Sequence, residues 1–260
     1  SRGYKKKGIG LSVVSNTSHL LINNPAICGD EPLLVAKKCP SVPVIVSSNK
    51  VAAIKYAIKK FSPRLILLDD AFQSLYIKNN LNIVLINSAK PSSHFQLYPL
   101  GFLRENLQSL NRSHVVVFSK TSQQKNSFSI IKNKISSTYE GPVLSAAFSH
   151  SLLKYENQKL VSTNSKIVEP TILLSGIGDN DSFKQLGYIY CNTVSQMLQF
   201  SDHVQYENND AIKLSLKKVA SSKSSLLTTM KDFVKLEFLL NSEYNFILTD
   251  FMNIYIIAFL

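Results

Sequence analysis

Short apolar runs rich in β-branched residues alternate with segments of helical periodicity along much of this 260-residue chain. Residues 42–46 predict a strand, and the apolar residues of 51–61 then recur at the spacing of one helix face. Further apolar runs at 65–68, 81–86 and 115–118 predict strands, and we expect the first of these to be fully buried. Continuous apolar strands between amphipathic helices are typical of a parallel sheet covered on both faces, so the predicted fold class is α/β.

The second part of the chain has a different pattern. A helix is predicted at 128–135, and residues 143–161 then predict extended, partly alternating segments. A second α/β unit is predicted to begin with a strand at 171–174, to contain another at 226–227, and to end with a buried strand at 254–260. We therefore expect a core lobe at 1–142, a β linker at 143–168 and a smaller C-terminal α/β lobe at 169–260.

The charge balance indicates an anionic partner. The chain carries 29 Lys and Arg against 17 Asp and Glu, a net charge of +12 at pH 7. Nucleic acid, an acidic membrane surface and a phosphorylated substrate all fit this charge, and the basic segment 1–7 fits anionic substrate or lipid headgroups. No apolar run approaches the roughly 18 residues that a membrane-spanning helix needs. Three separated cysteines, without a Cys-x-x-Cys pair, argue against a disulfide scaffold or a zinc site and fit a reducing cytosol.

Two aspartates, Asp69 and Asp70, follow directly on the apolar run 65–68. Nucleotide-binding α/β proteins use carboxylates at the C-terminal end of a strand to hold Mg²⁺ close to phosphates. The alternative is that both residues cap the next segment, since Asp is common in turns. The pattern leaves metal binding and capping equally open.

Asp30 occupies the start of a predicted helix. It precedes Glu31 and Pro32, an order that predicts Asp30 as the N-cap and Pro32 in the first turn. The positive end of a helix dipole stabilises a carboxylate in its ionised, basic form. A functional base and a purely structural cap both fit this position.

Two further polar pairs are candidates for chemistry. His203 follows Asp202, and histidine is the side chain that ordinarily titrates near neutral pH, so His203 is a candidate acid or base. Arg104 and Glu105 follow a Pro- and Gly-containing loop, where arginine can grip a phosphate and glutamate can bind a metal or orient the arginine. A surface histidine and an exposed ion pair are the structural alternatives.

The glycine pattern excludes two nucleotide-binding motifs within these 260 residues. Gly-x-x-x-x-Gly-Lys-Ser/Thr does not occur, and no glycine is followed by lysine. The segment 175–180, Ser-Gly-Ile-Gly-Asp-Asn, lacks the third glycine of a dinucleotide fingerprint and predicts a strand-to-helix turn. The phosphate cradle expected of a nucleotide kinase is therefore absent from this stretch of sequence.

Seven segments, taken in order, resemble the tetraacyldisaccharide 4'-kinase family, which phosphorylates the lipid A precursor. Each motif is weak alone, but the seven keep the order of the family and a comparable spacing across nearly the whole chain. The segments are Ser-Arg-Gly-Tyr at 1–4, Gly-Asp-Glu-Pro at 29–32, Asp-Asp-Ala-Phe-Gln at 69–73, Pro-Leu-Gly-Phe-Leu-Arg-Glu at 99–105, Leu-Ser-Gly-Ile-Gly at 174–178, Phe-Ser-Asp-His at 200–203 and Leu-Thr-Thr-Met-Lys-Asp at 227–232.

The resemblance implies a P-loop NTPase-like fold with a smaller C-terminal lobe. It implies transfer of the ATP γ-phosphate to the 4'-hydroxyl of a tetraacylated glucosamine disaccharide 1-phosphate. Asp30 would remove the proton of the sugar hydroxyl, and His203 would orient Asp30 and tune its basicity. Asp69 and Asp70 would hold hydrated Mg²⁺.

The resemblance also implies contacts with the lipid and a cellular location. The protein would work at the anionic, cytoplasmic face of a bacterial inner membrane, and we expect neither a nucleic acid nor an obligate protein partner. Five side chains would bind substrate: Arg2, Tyr4, Gln73, Arg104 and Glu105.

The chain departs from the family pattern in several places. The family's phosphate loop lies just upstream of its Ser-Arg-Gly-Tyr segment, usually behind a hydrophobic anchor helix, so we expect an N-terminally truncated and inactive fragment. Ala71 replaces a commoner Gly, and Ser74, Asn106 and Met230 replace the usual His, Pro and Glu. The alternatives are a non-catalytic relative that acts as a binding or scaffold protein and, less favoured, a basic nucleic-acid-binding α/β protein.

Overall fold

The computed structural model describes residues 10–123, 126, 128–206, 209–221, 224–242 and 254–259. The chain forms two compact units. Unit 1 comprises Ser1–Asp70 with His150–Phe259, and unit 2 comprises Ala71–Ser149. The lobes predicted at 1–142 and 169–260, with the linker at 143–168, rest on sequence pattern alone and stay a prediction.

Helices and strands alternate through both units, which confirms the predicted α/β class. The strands are β1 Ser12–Ser15, β2 Val44–Val46, β3 Ile83–Asn87, β4 Val115–Ser119, β5 Val143–Ser145, β6 His150–Glu156, β7 Lys159–Thr163, β8 Thr171–Ser175, β9 Val194–Gln199, β10 Ser225–Thr229 and β11 Ile254–Phe259. The α-helices are α1 Pro25–Cys28, α2 Asp30–Lys38, α3 Lys50–Phe61, α4 Phe128–Ser136, α5 Asn180–Tyr190, α6 Asp210–Ser221 and α7 Met230–Ser242.

A six-stranded sheet in the order β7-β6-β11-β10-β8-β9 forms the centre of unit 1. The four strands from β11 to β9 run parallel, and β6 and β7 add an antiparallel hairpin on one side. Every residue of β8 and of β10 is buried, as expected for central parallel strands covered on both faces. The predicted strands at 171–174 and 226–227 are confirmed. The C-terminal segment predicted as a strand forms β11.

A smaller cluster of apolar side chains places α2 beside α7 in unit 1. Leu33 and Ala36 of α2 pack with Val234 of α7 and with the antiparallel pair β1 and β2. Lys37 of α2 and Glu237 of α7 form an ion pair between the two helices. This packing holds α2, which begins with the candidate catalytic residue Asp30, against α7.

Unit 2 is built on the three-stranded parallel sheet β3-β4-β5. Val116 and Phe118 on one face of β4 pack against Phe128 of α4. On β3, Ile83 and Leu85 have 53% and 68% of their surface exposed, so the opposite side of that strand is open. The strands predicted at 81–86 and 115–118 and the helix at 128–135 are confirmed, with small differences at their ends.

The prediction of a buried strand at 65–68 is wrong. These residues form no strand, and Leu65 and Leu67 are 74% and 84% exposed. An apolar run becomes a buried strand only when neighbouring strands supply hydrogen-bond partners. No described strand pairs with residues 65–68. The helix predicted over 51–61 is present as α3, although Ile58 of its apolar stripe is exposed. No helix among the described residues has the length and apolarity to cross a bilayer.

Candidate active site

Asp30 is the first residue of α2, and its side chain is only 8% exposed. Gly29, with a φ of 92°, is the N-cap, so the cap lies one residue earlier than predicted. One carboxylate oxygen, Oδ1, accepts the backbone N–H of Glu31 at 2.9 Å. Pro32 lies in the first turn, as predicted. The carboxylate therefore lies at the positive end of a helix, which attracts a negative charge.

His203 contacts this carboxylate from a position 173 residues further along the chain. Its Nδ1 lies 3.1 Å from Asp30 Oδ1 and 3.2 Å from Oδ2. The histidine belongs to the loop that follows β9, and its backbone has a left-handed φ of 58°. The structure thus brings the two predicted catalytic side chains together within unit 1, whereas their chemical roles stay a prediction.

Lys231, the second residue of α7, joins these groups. Its Nζ lies 3.0 Å from Glu31 Oε1, 3.2 Å from Asp202 Oδ1 and 3.3 Å from His203 Nε2. The distance from Lys231 Nζ to Asp30 Oδ2 is 3.9 Å. Burial by itself lowers the pKa of this ammonium, but the surrounding carboxylates outweigh burial and raise the pKa above its ordinary value. Lys231 therefore remains charged among three acids.

Sequence reasoning gave Lys231 no role. The segment Leu-Thr-Thr-Met-Lys-Asp at 227–232 matched the family pattern, but only the strand at 226–227 was predicted there. The end of β10 and the start of α7 bring Lys231 to the histidine. A cation at the first turn of a helix, where a helix dipole disfavours it, was the pattern that could have drawn attention to it.

The start of α7 is held by a buried hydrogen-bond network centred on Asp232, which has no exposed surface. Its Oδ2 accepts the N–H of Gly176 at 3.0 Å and the hydroxyl of Thr229 at 2.8 Å. Its Oδ1 accepts the hydroxyl of Tyr206 at 3.0 Å. Burial, followed by the charge of Asp232, holds the pKa of Tyr206 well above its ordinary value, so the phenol stays a donor. The network ties α7 to the loop that carries His203.

Gly176 lies in the predicted turn between β8 and α5, which the structure confirms. A Cβ at this position would come within 3.1 Å of Val204 Cγ1 and 3.2 Å of Asp232 Oδ1. The close approach of these groups is therefore possible because residue 176 has no side chain.

A second lysine of α7, Lys235, is more deeply buried than Lys231 and lies beside the carboxylate of Asp232. It is 4% exposed, and its Nζ lies 2.8 Å from Asp232 Oδ1 in ion-pair, not hydrogen-bond, geometry. The same atom lies 3.9 Å from Asp30 Oδ2 and 4.7 Å from the centre of the Tyr206 ring. Two ammonium groups of α7 thus face Asp30, and both electrostatically favour a negative charge there.

Asp69 and Asp70 lie in an exposed turn at the end of the part of unit 1 that precedes unit 2. Asp70 has a φ of 49°, and its backbone carbonyl accepts a hydrogen bond from Lys50 Nζ at 2.6 Å. Turns, not a helix, follow the two residues, so they cap no helix. Within the described ranges, no group of three or more His, Cys, Asp or Glu side chains is arranged to hold a metal ion.

The three predicted substrate residues of unit 2 do not form one cluster: two contact each other, and the third contacts a residue that was not predicted. Arg104 Nη1 donates to Gln73 Oε1 at 3.4 Å. Glu105 Oε2 accepts from Arg112 Nη2 at 2.6 Å, so its observed partner is Arg112, which also lies over the ring of Phe72. The remaining two predicted substrate residues, Arg2 and Tyr4, lie outside the described residues.

Comparisons of this chain with a family model, with curated relatives and with a solved structure agree on one family. The LpxK family model, tetraacyldisaccharide-1-P 4'-kinase, matches residues 1–254. The tetraacyldisaccharide 4'-kinases of Desulfatibacillum aliphaticivorans and Halothermothrix orenii are each 30% identical to this chain, over 254 and 249 residues. These matches cover 91% and 90% of this chain and 65% of each relative, so the chain spans about two thirds of their length.

A solved structure agrees with the sequence matches. The crystal structure of the "apo" form of LpxK from Aquifex aeolicus in complex with ATP is 25% identical, with a TM-score of 0.69. The similarity covers 99% of this chain and 71% of that one, which confirms the predicted P-loop NTPase-like fold class. With a family model that extends over nearly every residue, this chain belongs to the tetraacyldisaccharide-1-P 4'-kinase family.

Proposed function

We propose that this protein transfers the γ-phosphate of ATP to the 4'-hydroxyl of a tetraacylated glucosamine disaccharide 1-phosphate, a step of lipid A biosynthesis. Family membership and the ATP complex of the Aquifex aeolicus relative support the reaction class. The observation that carries the proposal is the contact of His203 Nδ1 with both carboxylate oxygens of Asp30. An oriented, ionised carboxylate is the group required to accept a proton from an attacking hydroxyl.

In this mechanism Asp30 is the base. The substrate hydroxyl donates its proton to a carboxylate oxygen of Asp30 as the hydroxyl oxygen attacks the γ-phosphorus. The bond from the γ-phosphorus to the bridging oxygen of ATP breaks, and ADP leaves with that oxygen. The Glu31 N–H and His203 hold the carboxylate in one orientation, so the base does not have to be positioned at the moment of reaction. Phosphoryl transfer depends mainly on such positioning and on the neutralisation of phosphate charge.

Asp69 and Asp70 are the proposed ligands of Mg²⁺. Their donor atoms fit this ion, because Mg²⁺ prefers carboxylate oxygens and commonly keeps several waters when only one or two carboxylates bind it. Both side chains are exposed, which leaves room for those waters. When bound, the ion would supply neutralisation of phosphate charge.

The remaining proposals concern substrate and surface. Arg104 provides a guanidinium for phosphate groups, Gln73 holds that guanidinium, and Glu105 lines the same region. Arg2 and Tyr4 belong to the basic N-terminal segment that we assign to the substrate. The net charge of +12 suits an anionic lipid and the anionic cytoplasmic face of the inner membrane.

The test is an ATP-dependent phosphorylation assay on the acylated disaccharide 1-phosphate, with protein made from the complete coding sequence and Mg²⁺ present. We expect the 4'-phosphorylated product, and we expect Asp30→Asn to lower kcat by about 10²- to 10⁴-fold, the usual contribution of a general base.

Asp181→Asn is the matched control, because Asp181 is also an acid in the first turn of a unit 1 helix but is exposed. It should retain the activity of the unsubstituted protein. Absence of product with the complete protein would refute the function, and an unchanged kcat in Asp30→Asn would remove Asp30 from the role of base.

A further inference from the structure

The contact between Lys231 Nζ and His203 Nε2, at 3.3 Å, restricts where the histidine carries its proton. An ammonium group has three N–H donors and no acceptor. It is attracted to Nε2 only when that nitrogen presents a lone pair. A proton on Nε2 would instead direct an N–H at a positive charge.

The second ring nitrogen has the opposite surroundings. His203 Nδ1 lies within 3.2 Å of both oxygens of Asp30, and an ionised carboxylate only accepts hydrogen bonds. This contact is favourable only when Nδ1 carries the proton. Lys231 on one side and Asp30 on the other therefore select the same neutral tautomer of the imidazole.

The charges around the ring maintain this arrangement. His203 faces Asp30 from α2, Asp202 from its own loop, and Lys231 from α7. Asp202 Oδ2 lies 3.6 Å from Nε2, beyond hydrogen-bond range, whereas Asp202 Oδ1 accepts from Lys231 at 3.2 Å. Asp202 therefore holds the lysine in place and does not compete with it for the ring nitrogen.

We infer that Lys231 is a positioning residue that keeps His203 in the Nδ1–H tautomer, with this N–H donated to Asp30. The consequence for catalysis rests on the proposed function: Asp30 accepts the substrate proton, and the lysine on Nε2 prevents His203 from passing that proton onward. The imidazole then acts as a fixed donor that orients the base, not as a proton relay.

The direct test is a long-range ¹H–¹⁵N NMR spectrum of the full chain labelled at its histidine ring nitrogens, recorded near neutral pH. His203 is assigned by the signals that disappear in His203→Gln. We expect a protonated Nδ1 and an unprotonated Nε2 in the unsubstituted protein. Lys231→Met should raise the proton occupancy of Nε2, because that nitrogen then faces Asp202 without an ammonium beside it. Lys231→Arg, which also offers only donors, should keep Nε2 unprotonated.

Lys37→Met is the matched control, since Lys37 also forms an ion pair between α2 and α7, with Glu237. It should leave the His203 signals unchanged and should show whether loss of such a pair disturbs the fold. A protonated Nε2 in the unsubstituted protein would overturn the inference. An unchanged tautomer in a folded Lys231→Met variant would overturn it as well.

Kinetics separate this inference from the proposed function. In the complete protein, Lys231→Met should lower kcat about 10²-fold with little change in KM, because the base loses orientation while substrate contacts remain. A correct tautomer without any kinase activity would refute the proposed function alone. Kinase activity with the opposite tautomer would refute the inference alone.

Discussion

The carboxylate of Asp30 and those of Asp69 and Asp70 are held in different ways, although all three are proposed to act in one reaction. Asp30 is buried, bonded to His203 and faced by two ammonium groups of α7. Asp69 and Asp70 lie exposed in a turn. The difference indicates that the fold itself orders the proposed base, whereas the proposed metal ligands are accessible to an ion and its waters.

The largest effect on stability is expected from substitution of the buried residue Asp232. Asp232→Ala removes the acceptor of three hydrogen bonds and leaves Lys235 without its nearest anion. Removing one partner of a buried ion pair typically costs about 3–5 kcal/mol of unfolding free energy. Urea unfolding followed by circular dichroism measures the change, and a loss below about 1 kcal/mol would show that the network does not order α7.

A smaller effect is expected from Lys231 at high pH. Its pKa is raised in the folded protein, so the folded state holds this proton more tightly than the unfolded state does. The stabilisation is fully present below the ordinary value of 10.5 and is lost as the pH rises through the higher folded value.

Urea unfolding from pH 8 to pH 12 provides the measurement. The difference in unfolding free energy between the unsubstituted protein and Lys231→Met should shrink as the pH rises. Comparison with Lys37→Met corrects for the general titration of surface lysines. A difference that stays constant over this range would mean that the carboxylates around Lys231 do not stabilise its charge.

The smallest effect on stability is expected at the exposed carboxylates. Asp69→Asn and Asp70→Asn should each change the unfolding free energy by no more than about 0.5 kcal/mol, as is usual for surface substitutions. In the complete protein, the same variants should need more Mg²⁺ for half-maximal activity. A large loss of stability, or an unaltered Mg²⁺ dependence, would contradict the contrast drawn with Asp30.

Sequence pattern correctly predicted strands that have partners in a sheet, and it failed at an apolar run that pairs with no described strand. The run 171–174 forms a central strand of a large sheet, whereas the run 65–68, which is more apolar, has no described strand beside it. Local hydrophobicity therefore does not distinguish the strand from the exposed run, because strand pairing is a long-range property that a single segment does not encode.

The candidate site shows the same limit. The pairing of Asp30 with His203 spans 173 residues and was expected only because the motifs resemble a known family. Lys231 was missed because its contacts form only where α2, α7 and the loop after β9 come together in the fold. No local sequence pattern predicts that a lysine on one helix will contact the histidine of a distant loop.

The left-handed backbone of His203 affects how any substitution of this residue must be interpreted. At a φ of 58°, most side chains strain the loop, and β-branched residues strain it most. The effect of His203→Val on activity would therefore reflect a distorted loop as much as the loss of the imidazole. Asparagine tolerates this conformation and can still donate an N–H to Asp30, so a graded set of replacements there can separate the shape of the loop from the chemistry of the ring.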